Sequence, residues 1–143
     1  MAEDAPFDPT STAFFGTSEE IEAVDEVRMP LSTRDQLAVD ALPAGNALLI
    51  VQRGPNSGAR FLLDQDVTNA GRSAVADIFL DDVTVSRKHC QFIAKDGRHI
   101  VRDSGALNGT YVNRERVDQA ALQAGDEVQI GKYRLTYHPS PAS

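Results

Sequence analysis

Residues 127–137 read EVQIGKYRLTY, and the alternation within them sets the fold class. Val128 and Ile130 alternate with Glu127 and Gln129; beyond Gly131-Lys132, Tyr133, Leu135 and Tyr137 alternate with Arg134 and Thr136. A period of two places successive side chains on opposite faces of an extended chain, so this stretch predicts two half-buried strands. The same rhythm runs upstream. Asp96-Gly97 sits between CQFIAK and RHIVRD as a two-residue hairpin turn does, and RGPNSGA separates the apolar run Ala47 to Val51 from Arg60 to Leu63. Many short antiparallel strands are expected, hence an all-β class and a β-sandwich. No helical periodicity of useful length follows Asn46, and ahead of it only Glu19 to Val27 (EEIEAVDEV) reads as a segment that winds transiently.

Charge divides the chain in two. The total is −7, yet residues 1–40 carry ten acids against Arg28 and Arg34, or −8, leaving +1 for the other 103 residues. An acidic leader with Pro, Ser and Thr and only scattered apolar residues buries too little surface to offset its ordering entropy. Residues 1–45 are therefore expected to form a disordered acidic tail, closed by Leu42, Pro43, Ala44 and Gly45, with the domain over 46–138 and a disordered C-terminus over 139–143. No basic stripe is present and the tail repels phosphate backbones, which argues against nucleic acid as a partner. No apolar run nears the roughly 20 residues of a membrane helix, and no secretory or transit signal is readable, so the expectation is a soluble cytoplasmic protein. Cys90 is the single cysteine and lies in an apolar stretch, where a buried small hydrophobe is the ordinary role.

Function in such a sandwich is sought in the loops. Three carry chemistry: Ala70-Gly71-Arg72-Ser73, Val85-Ser86-Arg87-Lys88-His89, and Ser104 to Thr110 (SGALNGT). Together with LNGTYVN and the closing GDEVQIG, the ordered set GR, SRKH and NGT over about Asn46 to Tyr137 resembles the forkhead-associated (FHA) domain. The resemblance implies a sandwich of about eleven short, mostly antiparallel strands that binds phosphothreonine peptides. A phosphorylated side chain carries about −1.5 to −2 charge and three acceptor oxygens, so its site needs cationic forks and hydroxyl or backbone donors on rigid neighbours. On this resemblance Arg72 and Arg87 contact phosphate or nearby peptide backbone, Ser86 donates its hydroxyl to phosphate, and Asn108 holds the ligand main chain. Gly71 and Gly109 permit tight loop backbones, His89 fixes loop shape, and Thr110 and Asn113 support the binding loop and its following turn. One position departs from the family: two before Asn108, where Ser or Thr is common, stands Ala106, which removes a hydroxyl donor.

Within the family, ARFLLDQ, DIFLDDVTVSRKH, LNGTYVNRE and GDEVQIGKYRL resemble a group of bacterial regulators, the glycogen accumulation regulators and oxoglutarate dehydrogenase inhibitors. That resemblance implies inhibition of 2-oxoglutarate dehydrogenase and regulation of glutamate metabolism, including glutamate dehydrogenase. It also implies serine/threonine kinases as partners and a switch in which the phosphorylated tail occupies its own FHA pocket. The group's tail motif ETTSVF has a partial counterpart in PTSTAF, which makes Thr10, Ser11 and Thr12 the candidate phosphorylation sites. About 35 flexible residues span roughly 30 Å, enough to reach the pocket. The alternative is a generic FHA adaptor that recruits phosphorylated kinases or substrates.

Ser86 near His89 suggests a nucleophile and its base, but no acid is placed to orient the imidazole and no nucleophile elbow is visible, so no catalytic residue is assigned. His99 reads as a strand residue and His138 as a terminal surface residue; neither shares a metal-like spacing with Cys90 or His89, and neither metal nor cofactor is expected. Asp81 and Asp82 read as an exposed turn before Val83. Lys88, Arg114 and Arg116 read as solvated charges that extend a positive rim.

Overall fold

A computed structural model describes residues 31–142. Thr10, Ser11, Thr12 and the segment 19–27 lie outside the described residues. Helix α1 (Thr33–Asp40) precedes eleven strands: β1 (Ala47–Arg53), β2 (Arg60–Leu63), β3 (Val67–Gly71), β4 (Ile78–Phe79), β5 (Cys90–Lys95), β6 (Arg98–Asp103), β7 (Thr110–Val112), β8 (Glu115–Val117), β9 (Gln119–Ala121), β10 (Glu127–Ile130) and β11 (Tyr133–Pro139). They form a six-stranded sheet in the order β2-β1-β11-β10-β7-β8 and a five-stranded sheet in the order β4-β3-β5-β6-β9. Every pairing is antiparallel except β3 with β4. The all-β sandwich expected from the alternation is the fold.

The opening stretch behaves as its period requires. Val128, Ile130, Tyr133, Leu135 and Tyr137 are buried, and they face Leu49, Val51, Phe92 and Val101 in the cluster between the sheets. Gly131, at φ 58°, starts the tight turn that joins β10 to β11. Asp96-Gly97 takes positive φ at both residues, 52° and 78°, the geometry of a two-residue type I′ hairpin, and Lys95 pairs with Arg98 across it. Asn113-Arg114 does the same between β7 and β8, at 51° and 72°.

Ordered packing begins ahead of Asn46, which corrects the expected start of structure. Residues Thr33–Asp40 are helical, and Val39 and Leu42 are buried. The reason lies in β1, whose first five residues are all buried, so both its faces are covered. Asp35 of α1 pairs with Arg60 at 3.8 Å, and Arg60 stands opposite Ile50 on β1. The helix is thus joined to β2, the strand beside β1. Eight residues with a weak apolar stripe give little periodic signal, which is why the element escapes a reading based on period. The C-terminal end also differs from the expected disorder: Pro139 pairs with Ala47, Ser140 N–H donates to Asn46 O at 2.8 Å, and its hydroxyl donates to Leu42 O at 2.8 Å.

Of the histidines read outside the motif, His99 is a strand residue as expected and His138 departs from its expected setting. His138 is half-buried rather than a surface residue: Thr136 Oγ1 accepts from Gln52 Nε2 at 2.9 Å and lies in hydrogen-bond contact with His138 Nε2 at 2.7 Å. His99 is buried on β6, with Nδ1 2.7 Å from the Tyr137 hydroxyl and the two rings edge to face at 73°. Burial pushes the Tyr137 hydroxyl up to about 12, so that hydroxyl stays protonated. Desolvation is also the leading cause that lowers His89, His99 and His138 below the usual histidine value.

A histidine lowered in the folded state binds fewer protons there than in the unfolded chain. Its contribution to stability is whole above the unfolded value of about 6.5 and is lost as pH falls below it. The melting temperature is therefore expected to hold between pH 8 and 7 and to drop steadily from pH 6.5 to 5, as read by calorimetry. An unchanged value across that lower window contradicts the burial of these rings.

Candidate functional site

The chemistry-bearing loops leave the same end of the sandwich, and the sequence explains how each is held. Gly71 closes β3 at a place where the 86–87 backbone comes too near for any side chain. A Cβ there lies against the Arg87 carbonyl, with its carbon at 2.8 Å and Ser86 O at 3.1 Å. That close approach lets Arg72 N–H donate to Ser86 O at 2.9 Å and Ser73 N–H to Arg87 O at 3.4 Å. Arg72 Nε–H donates to Val85 O at 3.1 Å, which lays the base of the guanidinium along the same segment.

His89 is fully buried and ties three segments together. Its backbone N–H donates to Ala70 O at 3.0 Å, and its carbonyl accepts from Ser104 N–H at 3.0 Å. In its ring, Nδ1 accepts from Ser86 N–H at 3.0 Å, so the proton sits on Nε2, which donates to Gly109 O at 2.8 Å. Desolvation lowers this histidine, although the Gly109 carbonyl and the Asp103 charge both favour its protonated form. A neutral ring with one accepting and one donating nitrogen is the only state that satisfies both bonds.

The 104–109 loop hangs from one carboxylate. Asp103 Oδ2 accepts from Gly105 N–H at 2.9 Å and Ala106 N–H at 3.3 Å, and Oδ1 accepts from the buried Thr110 hydroxyl at 2.7 Å. Held this way, the loop meets the 84–86 segment. Leu107 N–H donates to Ser86 Oγ at 3.0 Å, and Asn108 Nδ2 donates to Thr84 O at 2.9 Å. Because Ser86 Oγ accepts from within, its own proton is available to a ligand. Ala106 is buried, so the position that lacks the family's hydroxyl packs inward.

Arg72, Ser86 and Asn108 therefore converge on three consecutive residues, 84–86. Arg87 goes elsewhere: it lines a depression of about 260 Å³ with Ser73 and Lys88. On the other flank Asn108 lines a depression of about 400 Å³ with Thr84, Tyr111 and Lys132. Gly109 has φ 79° and a Cβ there meets Arg116 Nε at 2.6 Å. Asn113 braces β10 rather than the loop itself: its Oδ1 accepts from Glu127 N–H at 3.0 Å and its Nδ2 donates to Asp126 Oδ1 at 3.1 Å.

Three supporting residues were missed by the motif reading. Asp103 is one, and its signal was the Asp-Ser-Gly sequence, since an Asp side chain commonly accepts the backbone N–H two residues on. Asp82 and Thr84 are the others. Asp82 Oδ2 accepts from Thr84 N–H at 2.9 Å and from the Thr84 hydroxyl, and Thr84 Oγ1 accepts from Lys132 N–H at 2.9 Å. The Thr84 side-chain bond is the first cause that holds Asp82 below the usual carboxylate range. Asp82 is thus bound into the loop and is not the free turn residue expected.

Comparison with known proteins gives the family. The FHA domain profile matches residues 68–131. The oxoglutarate dehydrogenase inhibitor of Corynebacterium efficiens is 62% identical over 104 residues, which cover 73% of this chain and 73% of that protein. The chain belongs to the FHA-domain family. The glycogen accumulation regulator GarA of Mycolicibacterium smegmatis is likewise 62% identical, over 105 residues that make up 73% of this chain but 66% of that longer protein. The match to the mycobacterial regulators thus spans just under two thirds of their length. Among solved structures, an FHA domain studied for phosphothreonine-dependent interactions superposes with a TM-score of 0.62 at 26% identity, covering 67% of this chain and 98% of that one. The FHA domain of a Chlamydia trachomatis protein gives 0.60 at 32% identity, covering 64% of this chain and 95% of that one.

Replacing His89 by Ala leaves the half-buried Ser86 N–H and the buried Gly109 carbonyl without these partners and opens a cavity. Each unpaired group costs about 1–3 kcal/mol, so His89→Ala is expected to lose about 2–4 kcal/mol in urea unfolding. A loss under about 0.5 kcal/mol contradicts the bridging role.

Proposed function

We propose that this protein is a phosphothreonine-binding regulator that acts by docking and has no catalysis of its own. The observation that carries the reading is the convergence of Arg72, Ser86 and Asn108 on residues 84–86, each anchored by a bond that leaves polar groups facing outward. A phosphate ester is gripped by a guanidinium and a hydroxyl proton within one small region, and Arg72 and Ser86 supply them. In the proposed complex Arg72 and Ser86 grip the phosphate, Asn108 holds the peptide main chain, and Arg87 assists from the flank.

Two observations speak against an enzyme. Both ring nitrogens of His89 are committed to backbone groups, and the ring is buried, so it is unable to take the Ser86 proton. Ser86 Oγ is itself part of the loop scaffold. The regulated target is proposed to be a central-metabolism enzyme in the cytoplasm, 2-oxoglutarate dehydrogenase first and glutamate dehydrogenase second. Support comes from relatives that carry the name oxoglutarate dehydrogenase inhibitor. Serine/threonine kinases are proposed to supply the switch by phosphorylating Thr10 or Thr12, with the modified tail then competing for the FHA loops.

Fluorescence anisotropy tests the binding claim with peptides spanning residues 6–17, each phosphorylated at one hydroxyl and supplied in trans. At least one phosphothreonine peptide is expected to bind, its unphosphorylated form not at all. Charge-assisted hydrogen bonds contribute about 1.5–3 kcal/mol, so Arg72→Ala and Ser86→Ala are each expected to weaken binding by roughly 10- to 100-fold. Unaltered affinity in both variants overturns the assignment.

A further inference from the structure

The paired backbones that build the phosphate notch run on by one residue. Arg72 N–H reaches Ser86 O; one step further Ser73 N–H reaches Arg87 O, and that second pair opens into the depression of about 260 Å³. The buried residues Ala70 and Cys90, with half-buried Ala76, form its base. Its exposed rim carries Arg87 and Lys88. No carboxylate is among the residues that line it. The volume is several times the roughly 30 Å³ that a water molecule occupies in the liquid, so a side chain fits it.

We propose that this depression is a second subsite that takes an acidic side chain, glutamate above all, lying on the opposite flank of the phosphothreonine from Asn108. Its chemistry matches that occupant in both parts. Methylene groups fit the base of small apolar residues, and the carboxylate meets two cations that nothing in the cavity neutralises. Lys and Arg heads at a rim of this kind stay solvated while their stems cover apolar surface, and closure around a carboxylate strengthens the pairing. The thiol at the base does not compete as a reactive group, since burial raises its pKa and keeps it protonated. Ser73 and Arg87 directly follow Arg72 and Ser86, so the depression adjoins the notch. Adjacent positions in an extended peptide are about 3.3 Å apart and alternate in direction, so the side chain two from the phosphothreonine falls about 6.6 Å away on the same face. Clients bearing an acid at that distance are thereby selected over others with the same phosphothreonine.

The inference rests on the phosphothreonine reading, and the experiment separates the two. Full-length protein is titrated with phosphothreonine peptides of neutral flanks and with matched peptides that carry one Glu at each position from three before to three after the phosphorylated residue. One Glu position is expected to tighten binding by about fivefold at low salt, and its replacement by Gln to remove the gain. Lys88→Gln, which removes the cation without adding a charge that repels phosphate, is expected to abolish most of the gain and leave the neutral-flank peptide within about twofold of its original affinity. Ala76→Leu, which fills the cavity without altering charge, should do the same. Equal affinity for Glu and Gln peptides at every position, with the neutral phosphopeptide still bound, overturns this inference alone. Failure of every phosphopeptide to bind overturns the phosphothreonine reading and the subsite with it.

Discussion

The binding end of this molecule depends on one neutral imidazole. His89 accepts from Ser86 N–H and donates to Gly109 O, so a single buried ring spaces the 84–89 loop from the 104–109 loop. Neither a protonated ring nor the other tautomer satisfies both partners. Around that bridge the remaining constraints are short-range: Gly71 admits the 86–87 backbone, Asp103 gathers two amides and a hydroxyl, and Asn108 reaches Thr84 O. Loops held by so many bonds to backbone groups lose little further entropy when a ligand arrives, which is how a shallow surface achieves selective binding.

The sandwich beneath supplies rigidity and little else to the chemistry. Its inter-sheet cluster of Leu49, Phe92, Val101, Ile130, Tyr133 and Leu135 is closed to water, and the strand ends that carry the loops emerge from it at fixed spacing. Helix α1 is joined to β2 by the pair of Asp35 with Arg60. Chemistry and packing are therefore divided, with polar bonds concentrated at one end and apolar area in the middle.

Much of this was legible in residue order. The alternation through Val128, Ile130, Tyr133, Leu135 and Tyr137 gave away the strands because period two survives even in segments of four residues. Asp96-Gly97 declared its hairpin because few other pairs tolerate two positive φ angles. The motif residues Arg72, Ser86 and Asn108 were found together because loop chemistry is carried by residue identity. What stayed hidden depends on tertiary partners. Helix α1 is too short for its period to register. The roles of Asp82, Thr84 and Asp103 are hydrogen bonds formed only once separate turns meet, and the division of Arg72 and Arg87 between two flanks follows from backbone pairing that no spacing rule encodes.

The most direct test of the account is the protonation state of His89, read by long-range proton–nitrogen NMR of the folded, ligand-free protein between pH 5.5 and 7.5. The account predicts a neutral ring with hydrogen on Nε2 and a bare Nδ1 throughout the upper part of that range, titrating below the ordinary histidine value of about 6.5. A ring protonated on Nδ1, or one that titrates as a solvent-exposed histidine does, would contradict it.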